Sequence, residues 1–193
     1  MTQRRPGGRS ARVRAAALAA ALDELAESGY AAVTLEGVAR RAGVHKTTLY
    51  RRWGTREALV LEAMLEHAGE RVPVPDTGSL REDLLALATA AAATAATPQG
   101  EAVVRAVVAA GRHDEALAAA NRRFWTERLA LDGAIVERAI ARGELAAGVD
   151  AESVIEAVLG PIYFRLLVTG EPVDRTFIEL VVDLVSRAPL QRS

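Results

Sequence analysis

Residues 34–59 constrain this chain more than any other stretch. They read Thr34-Leu-Glu-Gly-Val-Ala-Arg-Arg-Ala-Gly-Val-His-Lys-Thr-Thr-Leu-Tyr-Arg-Arg-Trp-Gly-Thr-Arg-Glu-Ala-Leu59. Thr34 is a good N-cap for a helix over about 35–42, with Leu35, Val38 and Ala39 as its inward face. Ala42-Gly43-Val44 makes the turn, and Gly43 supplies the backbone freedom a sharp reversal needs. A second helix runs over about 46–53. Leu49 and Trp53, four apart, face inward, which leaves Lys46, Thr47, Tyr50 and Arg51 on or beside the outward face. Two short helices, a tight glycine turn and one cationic, hydroxyl-bearing face form the layout of a helix-turn-helix.

The rest of the chain is helical in pattern. Residues 1–8 contain Pro6, Gly7 and Gly8 and no apolar periodicity, so they read as a flexible basic arm. Ser10 is placed to cap a first helix, whose stripe is Val13, Ala17, Leu18, Ala21, Leu22 and Leu25 and whose end is Gly29. A fourth helix begins near the cap Thr55 and runs to about Arg71. Val72-Pro-Val-Pro-Asp-Thr-Gly78 breaks it. Ser79 and Glu82 have capping-box spacing before an alanine-rich helix anchored by Leu80, Leu84 and Leu87. Thr97-Pro98-Gln-Gly100 is read as a second break, followed by helices of about 101–111 and 114–142. Residues 151–169 are strongly apolar, with a kink expected at Gly160-Pro161. A last helix, about 173–187, carries Phe177, Leu180, Val181 and Leu184 on one stripe. There is no strand signal of length. The expected fold is all-α with about nine helices. Its expected organisation is an arm over 1–8, a helix-turn-helix domain over 9–55 and a helical regulatory and dimerisation domain over 56–193.

Composition narrows the partner. Half of the 193 residues are hydrophobic, enough for a real core, and there is no cysteine for a disulfide framework or a thiolate metal site. No apolar run approaches the roughly 20 residues that span a bilayer. The basic N-terminus is not followed by a leucine-rich segment and cleavage site, so a cytoplasmic location without a membrane partner is expected. Residues 1–56 hold eleven Lys/Arg against four Asp/Glu, a net charge of +7, whereas residues 57–193 carry −8. A basic head on an acidic body implies that only the head meets a polyanion. With a helix-turn-helix in the head, that polyanion is double-stranded DNA.

The run Gly43-Val44-His45-Lys46-Thr47-Thr48-Leu49-Tyr50-Arg51-Arg52-Trp53, preceded by Val38-Ala39-Arg40-Arg41-Ala42, resembles the signature of the tetracycline-repressor (TetR) family. The helix ending Glu27-Ser-Gly-Tyr30 resembles that family's first helix, and residues 160–172 resemble a penultimate-helix segment of one of its branches. The resemblance implies a three-helix DNA-binding domain and a helical ligand-binding and dimerisation domain. It places Lys46, Thr47, Tyr50 and Arg51 against bases in the major groove. Thr34, Thr48, Arg52 and Arg56 fall at positions that hold phosphates, and Tyr50 shares that role; Arg41 falls where the family reaches a base or the backbone, and His45 is placed to touch a phosphate. Arg and Lys donate to guanine O6 and N7, and hydroxyls donate to phosphate oxygens. The chain departs from the family at His45, where serine is usual and would cap the helix, and at Thr47, where a small residue is common.

One recognition helix covers few base pairs, so affinity calls for a homodimer reading a pseudo-palindromic operator. Val154, Ile155, Val158, Leu159, Ile162, Leu166, Phe177, Ile178, Val181 and Val185 are the expected interface. The resemblance also implies a pocket for a small-molecule effector. Its candidate lining is Arg105, Val108, Arg112, Asn121, Phe124, Trp125, Arg128, Leu129 and Tyr163, with Arg105 and Arg128 suited to a carboxylate or phenolate. The functional expectation is a ligand-responsive homodimeric repressor. The alternatives are a DNA-binding module without a small-molecule effector, answering to a protein partner or acting architecturally, and a helical binding protein or enzyme. No catalytic constellation and no cofactor are expected. Glu62, Glu66, His67 and Glu70 share a helical face, read as solvated surface rather than a metal site.

Overall fold

The computed structural model describes residues 8–109 and 115–187. Among the described residues there are nine α-helices and no strand. They are α1 (Gly8–Ser28), α2 (Leu35–Arg41), α3 (Lys46–Trp53), α4 (Arg56–Arg71), α5 (Leu80–Ala95), α6 (Pro98–Ala109), α7 (Glu115–Arg142), α8 (Ala151–Phe164) and α9 (Arg175–Arg187). The all-α expectation holds. The expected arm over 1–8 lies outside the described residues except for Gly8, which already belongs to α1. Ser10 therefore sits inside that helix and does not cap it. No helix among the described residues is long and apolar enough to cross a membrane.

Two compact units form. One comprises the described residues through His67 with those of Pro98–Arg122. The other comprises Ala68–Thr97 and the described residues from Arg123 onward. In the first unit α1 packs on α2 and on α6, and α2 on α3. Pro98 does not break the chain here; it opens α6, a position that needs no N–H donor. Gln99 Nε2 on α6 donates to Asp23 Oδ1 on α1 at 3.3 Å. Thr34 caps α2 as the sequence implies, its Oγ1 accepting from Gly37 N at 3.0 Å. A Cβ on Gly37 would lie 3.1 Å from that same oxygen, so the glycine makes room for the cap. Gly43 turns the chain with φ +65°, a left-handed conformation that a side chain disfavours.

The second unit has a core of Leu84, Leu87, Ala88, Ile135, Val136, Ile155, Val158 and Ile162 with their neighbours on α5, α7, α8 and α9. The capping box expected at Ser79 and Glu82 does not form, since the Ser79 side chain caps nothing. Instead Leu80 N donates to Glu144 Oε2 at 2.8 Å, a partner 64 residues away. Buried Asp83 accepts from Thr77 N at 2.6 Å and from the Thr77 hydroxyl at 2.7 Å. Helix α8 runs through Pro161. One turn later the bonding widens to i→i+5 over Arg165–Thr169, and Gly170 N donates to Arg165 O at 2.8 Å. Helix α9 starts at Arg175, two residues later than its stripe suggests, because Asp174 caps it by accepting from Phe177 N at 2.8 Å.

Candidate nucleic-acid interface

Helix α3 is held from below and left free above. Leu49 is fully buried and Trp53 nearly so. Burying two large apolar side chains stabilises such a short helix by roughly 2–3 kcal/mol each. Trp53 Nε1 also donates to Glu62 Oε2 on α4 at 2.6 Å. Lys46, Thr47, Tyr50, Arg51 and Arg52 are exposed together on the opposite side. The expected split of α3 into an inward and an outward face is thus what forms. Arg51 and Arg52, with Thr48 and with Ser10 and Val13 of α1, line a recess of about 580 Å³ beside this face. Ser10, misplaced as a helix cap by its position in the sequence, stands here as a further hydroxyl-bearing residue of the same recess.

The side chains proposed to hold phosphate differ in how free they are. Thr34 accepts in its cap and keeps its hydroxyl proton for a further acceptor. Arg52 lies over the Trp53 ring at 5.3 Å. His45 precedes α3 but makes no side-chain cap; its Nδ1 pairs with Thr47 Oγ1 at 2.9 Å. Arg41 is engaged between helices, bonded to Glu27 and, at 3.1 Å, to Glu24 on α1. These carboxylates, Glu27 foremost, raise its pKa further. Arg56 pairs with Glu57 at 2.9 Å and lies over the Tyr30 ring at 4.7 Å. Arg41 and Arg56 are therefore structural struts in this state. Tyr50 donates its hydroxyl proton to Glu36 Oε1 on α2 at 2.8 Å.

The expected effector residues are divided between the two units. Arg105 and Asn121 belong to the first unit, and Arg105 is exposed and paired with Glu101 at 2.6 Å. The Val108 side chain and Arg112 lie outside the described residues. In the second unit Phe124 meets Trp125 edge-on at 5.2 Å, and Trp125 meets Tyr163 at 5.7 Å. Leu129 is buried in the core. Arg128 is buried and already neutralised: it bonds Asp132 at 2.6 and 2.8 Å and the Val72 carbonyl at 2.7 Å. Its expected role as a receptor for an anion is corrected accordingly. Burial holds the Asp132 carboxyl above the usual range in spite of Arg128, and pushes the Tyr163 phenol up to about 12.

The expected dimer residues divide by their burial in the single chain. Val154, Ile155, Val158, Leu159, Ile162, Ile178 and Val181 are buried within the single chain, and Leu166, Phe177 and Val185 are partly so. A residue packed in its own core cannot also pack against a partner. The large apolar groups that α8, the turn after it and α9 do expose are Phe164, Val168, Leu180 and Leu184. Glu62 and Glu66 of the supposed solvated face both bind Arg14. Among the described residues no group of three or more His, Cys, Asp or Glu gathers as a metal ion would require.

A two-faced recognition helix in a basic head, in a chain whose other unit is also built of helices, defines a helix-turn-helix regulator. Known proteins agree. Residues 17–63 match the profile of the bacterial regulatory proteins of the tetR family, and residues 74–185 match the tetracyclin repressor-like C-terminal domain. The chain is 38% identical to the HTH-type transcriptional regulator YdeS of Bacillus subtilis, over 90% of this chain and 86% of that one. It is 36% identical to a DNA-binding transcriptional repressor, TetR, of Mycobacteroides abscessus, over 88% of this chain and 89% of that one. The solved structure of the TetR family regulator SCO0332 superposes with a TM-score of 0.76 at 35% identity, covering 91% of this chain and 98% of that one. The chain belongs to the TetR family and is a DNA-binding transcriptional regulator.

Proposed function

We propose that this regulator is a homodimeric repressor that binds a pseudo-palindromic operator and releases it when a small molecule occupies the helical body. The observation that carries this reading is the exposed row Lys46, Thr47, Tyr50 and Arg51 above buried Leu49 and Trp53. Those four side chains read base edges, and Thr34, His45, Thr48 and Arg52 hold phosphates. Arg41 and Arg56 join them only by loosening their present ion pairs. The DNA-binding domain occupies 9–55 and the regulatory and dimerisation domain 56–193, acting in the cytoplasm where its operator is.

The partner for dimerisation is a second copy, seated on Phe164, Leu180 and Leu184. Two heads roughly 34–36 Å apart then fit successive major-groove half-sites. The effector is a small molecule with flat apolar surface that packs against Trp125 and Tyr163. Asp132 already balances Arg128, so negative charge on the effector is not selected. A ligand acts only by binding one state of the dimer better than the other.

Selection of bound fragments from random duplex DNA tests the reading. An inverted repeat is expected. Replacing Tyr50 and Arg51 with alanine should abolish binding to it while helicity is kept. Retained affinity in that double variant would overturn the assignment of α3.

A further inference from the structure

The outward face of α3 is not uniformly cationic. Glu36, in the first turn of α2, brings a carboxylate to its edge. Its Oε1 accepts the Tyr50 hydroxyl proton at 2.8 Å, and both residues are exposed to solvent. A phenol has one proton to give. With that proton directed to Glu36, the Tyr50 oxygen offers only lone pairs to anything in the groove. The second carboxylate oxygen of Glu36 is likewise an acceptor. Two acceptors thus stand beside Lys46 at one corner of the reading surface.

This corner suits one kind of partner and repels another. A phosphate oxygen carries negative charge and no proton, so it finds no donor on Glu36 or on the committed Tyr50 hydroxyl, and meets like charge at the carboxylate. In the major groove the exocyclic amino groups of cytosine (N4) and adenine (N6) are the donors, whereas guanine and thymine present acceptors. We propose that Glu36 is a specificity-determining residue of the DNA-reading surface, selecting with Tyr50 an amino group of cytosine or adenine and keeping phosphate away from that edge of α3. Of the two roles that family resemblance implies for Tyr50, base contact is retained and phosphate contact is lost. The Tyr50 hydroxyl, ahead of other influences, holds the Glu36 carboxyl below its usual range, so it is charged at neutral pH. The inference rests on α3 being the DNA-reading helix.

The test compares the full-length wild type with Glu36→Ala, Glu36→Gln and Tyr50→Phe. Each is used in duplex selection and in anisotropy titrations over a salt series, with far-UV circular dichroism as the folding control. The wild type should enrich cytosine or adenine at one position per half-site. Glu36→Ala should relax that position, with discrimination falling roughly tenfold. On a random-sequence duplex, Glu36→Ala and Glu36→Gln should both steepen the slope of log K against log salt by up to about one unit. Tyr50→Phe should relax the same position and leave the slope unchanged. If Glu36→Ala selects the wild-type sequence with unreduced discrimination and an unchanged slope, the role given to Glu36 is overturned while the DNA-reading helix stands. A wild type that selects no sequence at all overturns both.

Discussion

Trp53 Nε1 donates a 2.6 Å hydrogen bond to Glu62 Oε2, tying the last residue of the recognition helix to the middle of α4. The same carboxylate accepts from Arg14 Nε on α1 at 2.5 Å. Glu62 is therefore the shared anchor of three helices in the first unit. Replacing it with alanine leaves a nearly buried indole N–H unsatisfied, which costs about 1–3 kcal/mol. Glu62→Ala should lower the urea midpoint of the protein, and Glu62→Gln, which keeps an acceptor, should lower it less. Equal midpoints for Glu62→Ala and wild type would remove the anchor role.

The residue before α3 is a second point of leverage. His45 has extended backbone geometry suited to an N-cap, φ −72° and ψ 132°, but supplies no side-chain cap. Serine at that position accepts from the free N–H groups of the first turn, and such caps contribute about 1 kcal/mol. His45→Ser is expected to raise the melting temperature by a few degrees. A lower melting temperature would show that the His45–Thr47 contact matters more than the cap.

Tyr163 gives the protein an alkaline sensitivity. Its folded-state pKa of about 12 lies above the ordinary value of 10.0 because burial penalises the phenolate. The sign follows from proton binding. Below pH 10 both states keep the proton and nothing is lost. Between pH 10 and 12 the unfolded chain releases its proton and the folded one does not, so stability falls as pH rises. The loss amounts to at most about 3 kcal/mol from this group. Tyr163→Phe should flatten the decline in denaturant midpoint across that interval, and an identical decline would exclude Tyr163 as its source.

Leu180 and Leu184 lie four apart on α9 and are 55% and 64% exposed. Charging them disturbs no core of the single chain. Leu180→Glu with Leu184→Glu should convert the proposed dimer to monomer in sedimentation equilibrium and weaken operator binding at least tenfold, since two linked heads gain affinity through effective concentration. A variant that sediments as a dimer would move the interface elsewhere.

Much of the head was legible in the linear order. Helices α2 and α3 are short, their caps and turns lie within a few residues, and the apolar spacing of Leu35, Val38, Leu49 and Trp53 states which side is buried. Thr34 and Gly43 act locally, so they do in the fold what they imply in the chain. The body was legible as helices but not as surfaces. Val154, Ile155 and Val158 look the same in sequence whether they meet their own core or another copy, because hydrophobicity has no address. The failed Ser79 cap has the same origin: Glu144 reaches Leu80 N from a distant turn, and no local pattern announces it.

The amino-acid order alone determined an all-helical chain, a basic head with a two-faced recognition helix, and a family. Those properties follow from periodicity, capping and charge, which act over one or two helical turns. Only the tertiary structure decided which charges are free. It tied Arg41 to Glu24 and Glu27, Arg128 to Asp132, and Tyr50 to Glu36. Such pairings depend on side chains being brought within about 3 Å of each other, and only the packing of whole helices does that.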